Sequence, residues 1–294
     1  MFERLIPEGM RYASCLATVI AAFAVAAISP ASMQAASPVW KVTRPEGGTL
    51  YLGGSVHALR KSDYPLPAAF DRALAASSRV VFEVKEDQKS AERIGKSGEY
   101  PKGDSLKNHV DPRTYDYIRR IFALLGVPEA KFSRYKPWLL TLVFWSPSIE
   151  GLSSDLGVEG YLTKRAAAAK KPTLGLVSTE QHMAVFTGLT ERQSEAVLLL
   201  TFIPTSTGAK SQITSAWRKG EVDLLARRTH QSFAEYPAFG ERLLDVRNRA
   251  WMPNIESYLR SGETYFVVVG AAHLGGPQGL LSLLKSRGYQ LEQL

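Results

Sequence analysis

Two short stretches near opposite ends of the chain share one grammar. TLYLGGSVHAL, residues 49–59, is an apolar run that breaks on glycines and then presents His57; YFVVVGAAHLGG, residues 265–276, repeats the pattern and presents His273. An apolar strand followed by Gly-x-x-His places an imidazole just past a backbone turn that glycine makes easy. A third group, Glu83, lies late in RVVFEV, between Phe82 and Val84. A carboxylate there is costly to bury unless it is paired, hydrogen-bonded or bound to a metal. Two neutral imidazoles and one carboxylate are a ligand set of the kind used by catalytic zinc or manganese sites with an open position. The spacing itself is no metal motif, since HExxH and close ligand pairs are absent. A lone strand-end histidine is more often a satisfied core residue, and Glu83 alone could pair with an arginine. The repetition on two distant strands is what favours chemistry.

The fourth candidate is Arg247, or its neighbour Arg249, in RLLDVRNRAW, just before the strand of the second motif. Either could hold a carboxylate or a developing oxyanion. His109, His182 and His230 lack the strand-end context and read as surface or packing histidines, and Trp138 as a core anchor. There is no GxSxG for a serine nucleophile and no GxxxxGK[ST] for a phosphate loop.

These groups need elements to carry them. VWKVTRPEGGTLYLGG alternates and turns between Pro45 and Gly48, a hairpin-like pair of strands. Pro65 and Pro67 are placed to open a helix over PLPAAFDRALAASS, and RVVFEV is a short buried strand. Strand, helix and strand make a βαβ unit with parallel strands. Residues 85–109 are polar and read as a surface excursion. Beyond Asp111 the texture is helical, with Thr190 and Gln193 spaced as a capping box and TLGLV as a strand within it. TYFVVVG, a helix and the alternating YQLEQL close the chain. Strand–helix alternation at both ends and a helical middle predict an α/β architecture. Ligands of such sheets gather outside the carboxyl ends of parallel strands, where both histidines emerge.

The chain has 294 residues, 45% hydrophobic and 22% charged, enough for a sizeable core in one large domain or two intimate ones. A net charge of +8 favours anionic surfaces such as envelope polymers. Its basic residues are scattered and not interleaved with aromatic platforms, so no nucleic-acid groove is expected. Arg4 and Arg11 precede the apolar run CLATVIAAFAVAAI and the small residues of SPASMQAASP. That order predicts a leader over residues 1–35, cleaved near Ala35 or Ala36, and a periplasmic or secreted protein. The run is shorter than the ~20 residues of a membrane span, so no stable span is expected after cleavage. Cys15 is the single cysteine and lies in the leader, excluding a disulfide framework and a cysteine nucleophile from the rest.

LYLGGSVHAL with YPLPAAFDRALAASSRVVFEV, and DVRNRAWMPNIESYLRSGETYFVVVGAAHLGGPQGLLSLLKSRGY, resemble the TraB/GumN family, which also contains the Tiki metalloproteases. The likeness spans essentially residues 36–294. The family's paired GxxH motifs fall on Gly54–His57 and Gly270–His273, its glutamate on Glu83 and its arginine on Arg247. RYKPW and LGVEGYLTKRAAAAKKPTLGLVSTEQ are similar too, with two departures: Glu159 stands for an aspartate and Val177 for a glutamate. The resemblance implies an α/β fold related to the erythromycin-esterase and ChaN-like proteins. It also implies, from the Tiki members, a peptidase activity dependent on a divalent metal such as Mn, Co or Zn. His57, Glu83 and His273 would hold the ion, with Glu83 as ligand or general base and Arg247 at the oxyanion. The expected protein is an exported metal-dependent hydrolase of peptide or protein amide bonds. The alternative is a non-catalytic envelope protein that binds a peptide or polysaccharide, mildly favoured by the departures at Glu159 and Val177.

Overall fold

VWKVT and TLYLGGS pair as the expected hairpin. β1 (Val39–Thr43) runs antiparallel to β2 (Thr49–Ser55), from Val39↔Gly53 to Thr43↔Thr49. The computed structural model describes residues 36–85, 88–145, 152–203 and 209–294. The expected leader, residues 1–35, lies outside the described residues. The other strands are β3 (Arg79–Val84), β4 (Thr173–Val177), β5 (Tyr265–Gly270) and β6 (Gln290–Gln293). All six form one sheet in the order β4-β3-β5-β2-β1-β6. β4, β3, β5 and β2 are mutually parallel, while β1 is antiparallel to both of its neighbours.

The fold is therefore mixed α/β. β2 and β3 are parallel, as their connection through the helix Ala69–Ala76 requires, but β5 lies between them. Five of the six residues of β5 are buried, which suits the unbroken apolar run YFVVV to a central parallel strand. This placement makes the two Gly-x-x-His strands direct neighbours, with Gly54 opposite Val269 and Ser55 opposite Gly270.

Two local expectations are corrected. Pro65 and Pro67 do not open the first helix. Phe70 N–H bonds back to the Pro67 carbonyl, so the prolines shape the turn before Ala69. The stretch after β3 is more than a surface excursion: it forms the helix Gln88–Ser97 and then buries Tyr100 and Leu106. These two join Tyr115, Ile118 and Phe122 of the helix Pro112–Leu124 in a second apolar cluster. Two apolar side chains in a polar stretch show no period, so only their partners reveal the burial. The Thr190–Gln193 capping box forms as expected, and Trp138 is buried in a third cluster. Among the described residues no helix is long and apolar enough to cross a membrane.

Candidate functional site

The carboxyl ends of the four parallel strands carry the site. Glu83 is the penultimate residue of β3 and is buried. Its Oε1 accepts from Gly270 N–H at 2.7 Å, at the end of β5. A Cβ at Gly270 would stand a tight 3.3 Å from that oxygen. His57 Nε2 and His273 Cδ2 lie within 4 Å of the same point. The strand-end groups thus converge on one corner of the backbone. They line a cavity of about 500 Å³ together with apolar side chains that include Leu142, Val185, Phe186 and Leu244.

Arg247 enters from the first turn of the helix Asp245–Arg260. Its guanidinium is saturated at the tip. Nη1 donates to the Leu243 carbonyl at 3.3 Å and to His273 Nε2 at 3.2 Å. Nη2 donates to His182 Nδ1 at 2.9 Å and to Glu83 Oε2. Trp251, one turn on, packs under the guanidinium and against the His273 ring, each at 4.6 Å. Burial alone raises a carboxyl pKa. Around Glu83 the positive partners, His273 when protonated and the permanent charge of Arg247 foremost, outweigh it and hold the group below the usual carboxylate range. Arg249 instead bonds Gln278 at the surface, which decides between the two arginines.

His273 has one tautomer consistent with its partners. Asn248 Nδ2 donates to the Gln278 carbonyl at 2.9 Å, and a carbonyl can only accept. Asn248 therefore turns Oδ1 toward His273 Nδ1, 2.7 Å away, so Nδ1 carries the proton and Nε2 keeps its lone pair for Arg247. Burial, with Arg247 adding to it, lowers the His273 pKa to about 3. His182 is likewise lowered, to about 4, by burial and then by Arg247. Both imidazoles are neutral acceptors at neutral pH.

His57 is built differently. Gly157 lies so close that a Cβ would collide with the His57 carbonyl, and Val158 N–H bonds the Val56 carbonyl at 3.1 Å. That contact brings in the helix Val158–Ala168, whose Glu159 bonds His57 Nδ1 at 2.8 Å and Ser55 Oγ at 2.6 Å through one oxygen. The His57 side chain is 74% accessible and lines the cavity. The Glu159 carboxylate raises its pKa to about 9.

A family model matches residues 38–293. The chain belongs to the TraB/PrgY/gumN family. No curated protein and no solved structure matches it.

In this TraB/PrgY/gumN chain, His57, Glu83, Arg247 and His273 meet at one sheet edge. The metal set His57, Glu83 and His273 does not fit an ion in this arrangement. Among the described residues no three His, Cys, Asp or Glu side chains are placed to hold one. His273 Nε2 and Glu83 Oε2 are held by Arg247, and Glu83 Oε1 by Gly270 N–H.

Two residues were misread in the sequence. His182 is no ordinary surface histidine but a partner of Arg247. Ser178 and Gln181 form a capping box that starts its helix, Thr179–Thr187, directly after β4, which aims His182 at the strand ends. Glu159, read as a departure, places its carboxylate on His57. His109 is held between Asp104 and Glu191 and stacked on Tyr100, and His230 pairs with Asp245. Both stay outside the site.

Proposed function

We propose that this protein is an exported hydrolase that cuts an amide bond of a peptide or protein, with His57 as its acid–base group. The observation that carries the reading is the pairing of His57 with Glu159 at the cavity wall. Glu159 holds Nδ1 and leaves Nε2 within 4 Å of the corner shared by Glu83 and His273. A carboxylate on one imidazole nitrogen fixes orientation and stabilises the imidazolium that forms, as in other histidine–carboxylate pairs.

In the reaction, neutral Nε2 takes a proton from water as the water oxygen bonds the amide carbon. The C–N bond then breaks and Nε2 returns the proton to the leaving nitrogen, giving a carboxylic acid and an amine. Glu83 has both oxygens committed and a depressed pKa, so it acts as a positioning residue for Arg247 rather than as the base. Arg247 has no free terminal N–H and acts on the developing oxyanion through its charge. The metal dependence expected from the Tiki members is not part of this reading, because the residues do not fit the ion. Kinship with the erythromycin-esterase and ChaN-like folds belongs to the proposal, as does export, which rests on the order of residues 1–35.

Hydrolysis of a peptide-amide library by the purified protein tests it. His57→Ala is expected to lower the rate by about 10²–10⁴-fold while the protein still folds cooperatively. Full turnover in His57→Ala would remove the proposed base, and no turnover by wild type across the library would favour a binding role for the cavity.

A further inference from the structure

We propose that His182 donates its Nε2–H to the oxygen of the amide carbonyl under attack, the oxyanion contact that the committed N–H groups of Arg247 cannot make. This rests on the hydrolytic reading of the cavity and adds a catalytic residue to it.

The tautomer is the first support. Arg247 Nη2 lies 2.9 Å from His182 Nδ1, and a guanidinium can only donate. Glu83 offers Nδ1 no alternative, since its Oε2 lies 3.8 Å away, beyond hydrogen-bond reach. Nδ1 is therefore the acceptor, and the neutral ring carries its proton on Nε2. His273 is the reverse case, with its proton on Nδ1 and spent on Asn248. Arg247 takes a lone pair from each imidazole, but only His182 keeps an unspent N–H.

The second support is where that N–H is left. Among the described residues none accepts it. It is not sealed in either, because the buried side-chain atoms without a partner there belong to Ser37, Tyr100, Glu159 and Ser194. His182 lines the cavity with its side chain 28% exposed. The hydroxyls of the same lining are spent, Ser55 on Glu159, Thr229 on the Leu225 carbonyl and Ser232 on the Arg228 carbonyl.

Placement is the third support. Glu83 stands between the two imidazoles, with Oε2 toward His182 and Oε1 at the Gly270 corner that His57 Nε2 approaches within 4 Å. An amide seated across Glu83 meets the attacking water on the His57 side and the N–H on the His182 side. A neutral imidazole N–H can polarise a carbonyl in this way. A donor aimed at developing charge strengthens in the transition state, so it acts on kcat rather than KM.

Two substitutions separate the ring nitrogens. Asparagine keeps an oxygen near Nδ1 for Arg247 but does not reach Nε2, whereas glutamine reaches Nε2 with an amide N–H. On the best-cleaved member of the peptide-amide library, His182→Asn is expected to lower kcat by about 10²–10³-fold with KM unchanged. His182→Gln is expected to recover part of that loss. A folded His182→Asn no slower than His182→Gln would overturn the proposal, because the acceptor for Arg247 would then be what matters. That result removes this role alone, whereas a wild type that cuts no library member removes the hydrolytic reading and this role together. If either variant fails to fold, the ¹⁵N shifts of His182 in wild type, assigned through the backbone, decide. A proton on Nε2 is expected, and a proton on Nδ1 overturns the assignment.

Discussion

His57 and His273 follow the same turn on neighbouring parallel strands, yet their surroundings give them opposite chemistry. His273 is 4% exposed, held in one tautomer by Asn248 and kept neutral by burial, its pKa lowered to about 3. His57 opens onto the cavity, and Glu159 raises it to about 9. The motif determines where each imidazole leaves the sheet. What the imidazole can do is set by residues from other elements, Glu159 on one side and Arg247 with Asn248 on the other. One half of the site is closed and saturated; the other is open and can move a proton.

Removing Arg247 should break this contrast most severely. Arg247→Ala strips the cation from a buried carboxylate and two acceptor imidazoles, and loss of one partner of a buried pair typically costs about 3–5 kcal/mol. Chemical denaturation should show a loss of that size, and a smaller one for His57→Ala, whose pairing with Glu159 is open to solvent. Equal losses in the two variants would mean that the halves are not built differently.

A smaller effect is expected from Asn248→Leu, which keeps the volume but leaves the His273 Nδ1–H and the Gln278 carbonyl without their partner. A buried group left unsatisfied costs about 1–3 kcal/mol. The variant should also admit the other tautomer of His273, visible in its ¹⁵N shifts. An unchanged tautomer would show that Asn248 does not control it.

Glu159→Gln sharpens the open half with the smallest stability change. Because the folded His57 pKa is raised, its neutral base form becomes populated only as pH rises, so hydrolysis should climb toward about pH 9. Removing the carboxylate takes away the main raising cause, and the rising limb of the pH–rate profile should move to lower pH, toward ordinary histidine. A limb that stays in place would detach Glu159 from His57.

Much of this geometry was legible in the sequence. His57, His273 and Glu83 sit at the ends of apolar strands, where a period-two or unbroken apolar run predicts both the strand and its carboxyl edge. Position just before the second motif left Arg247 and Arg249 both open, and only the family pattern pointed to Arg247. The neighbour relation of β2 and β5 was not, because pairing between strands from opposite ends of the chain leaves no local trace. His182 was missed because a histidine on a helix carries no signal alone; the Ser178–Gln181 cap after β4 was the available clue. Glu159 was undervalued because its identity, not its reach, was compared with the family pattern. Tyr100 and Leu106 were hidden by polar neighbours.

The central claim is that one Gly-x-x-His imidazole is reactive and the other is locked. It is tested most directly by a ¹⁵N-imidazole NMR titration of wild type, with His57→Ala and His273→Ala to assign the two rings. The account predicts His57 doubly protonated at neutral pH, losing its proton only toward about pH 9. It predicts His273 neutral across the same range, protonated on Nδ1 and bare on Nε2. A His273 that titrates like a free histidine or carries its proton on Nε2, or a His57 already neutral at pH 7, would contradict it.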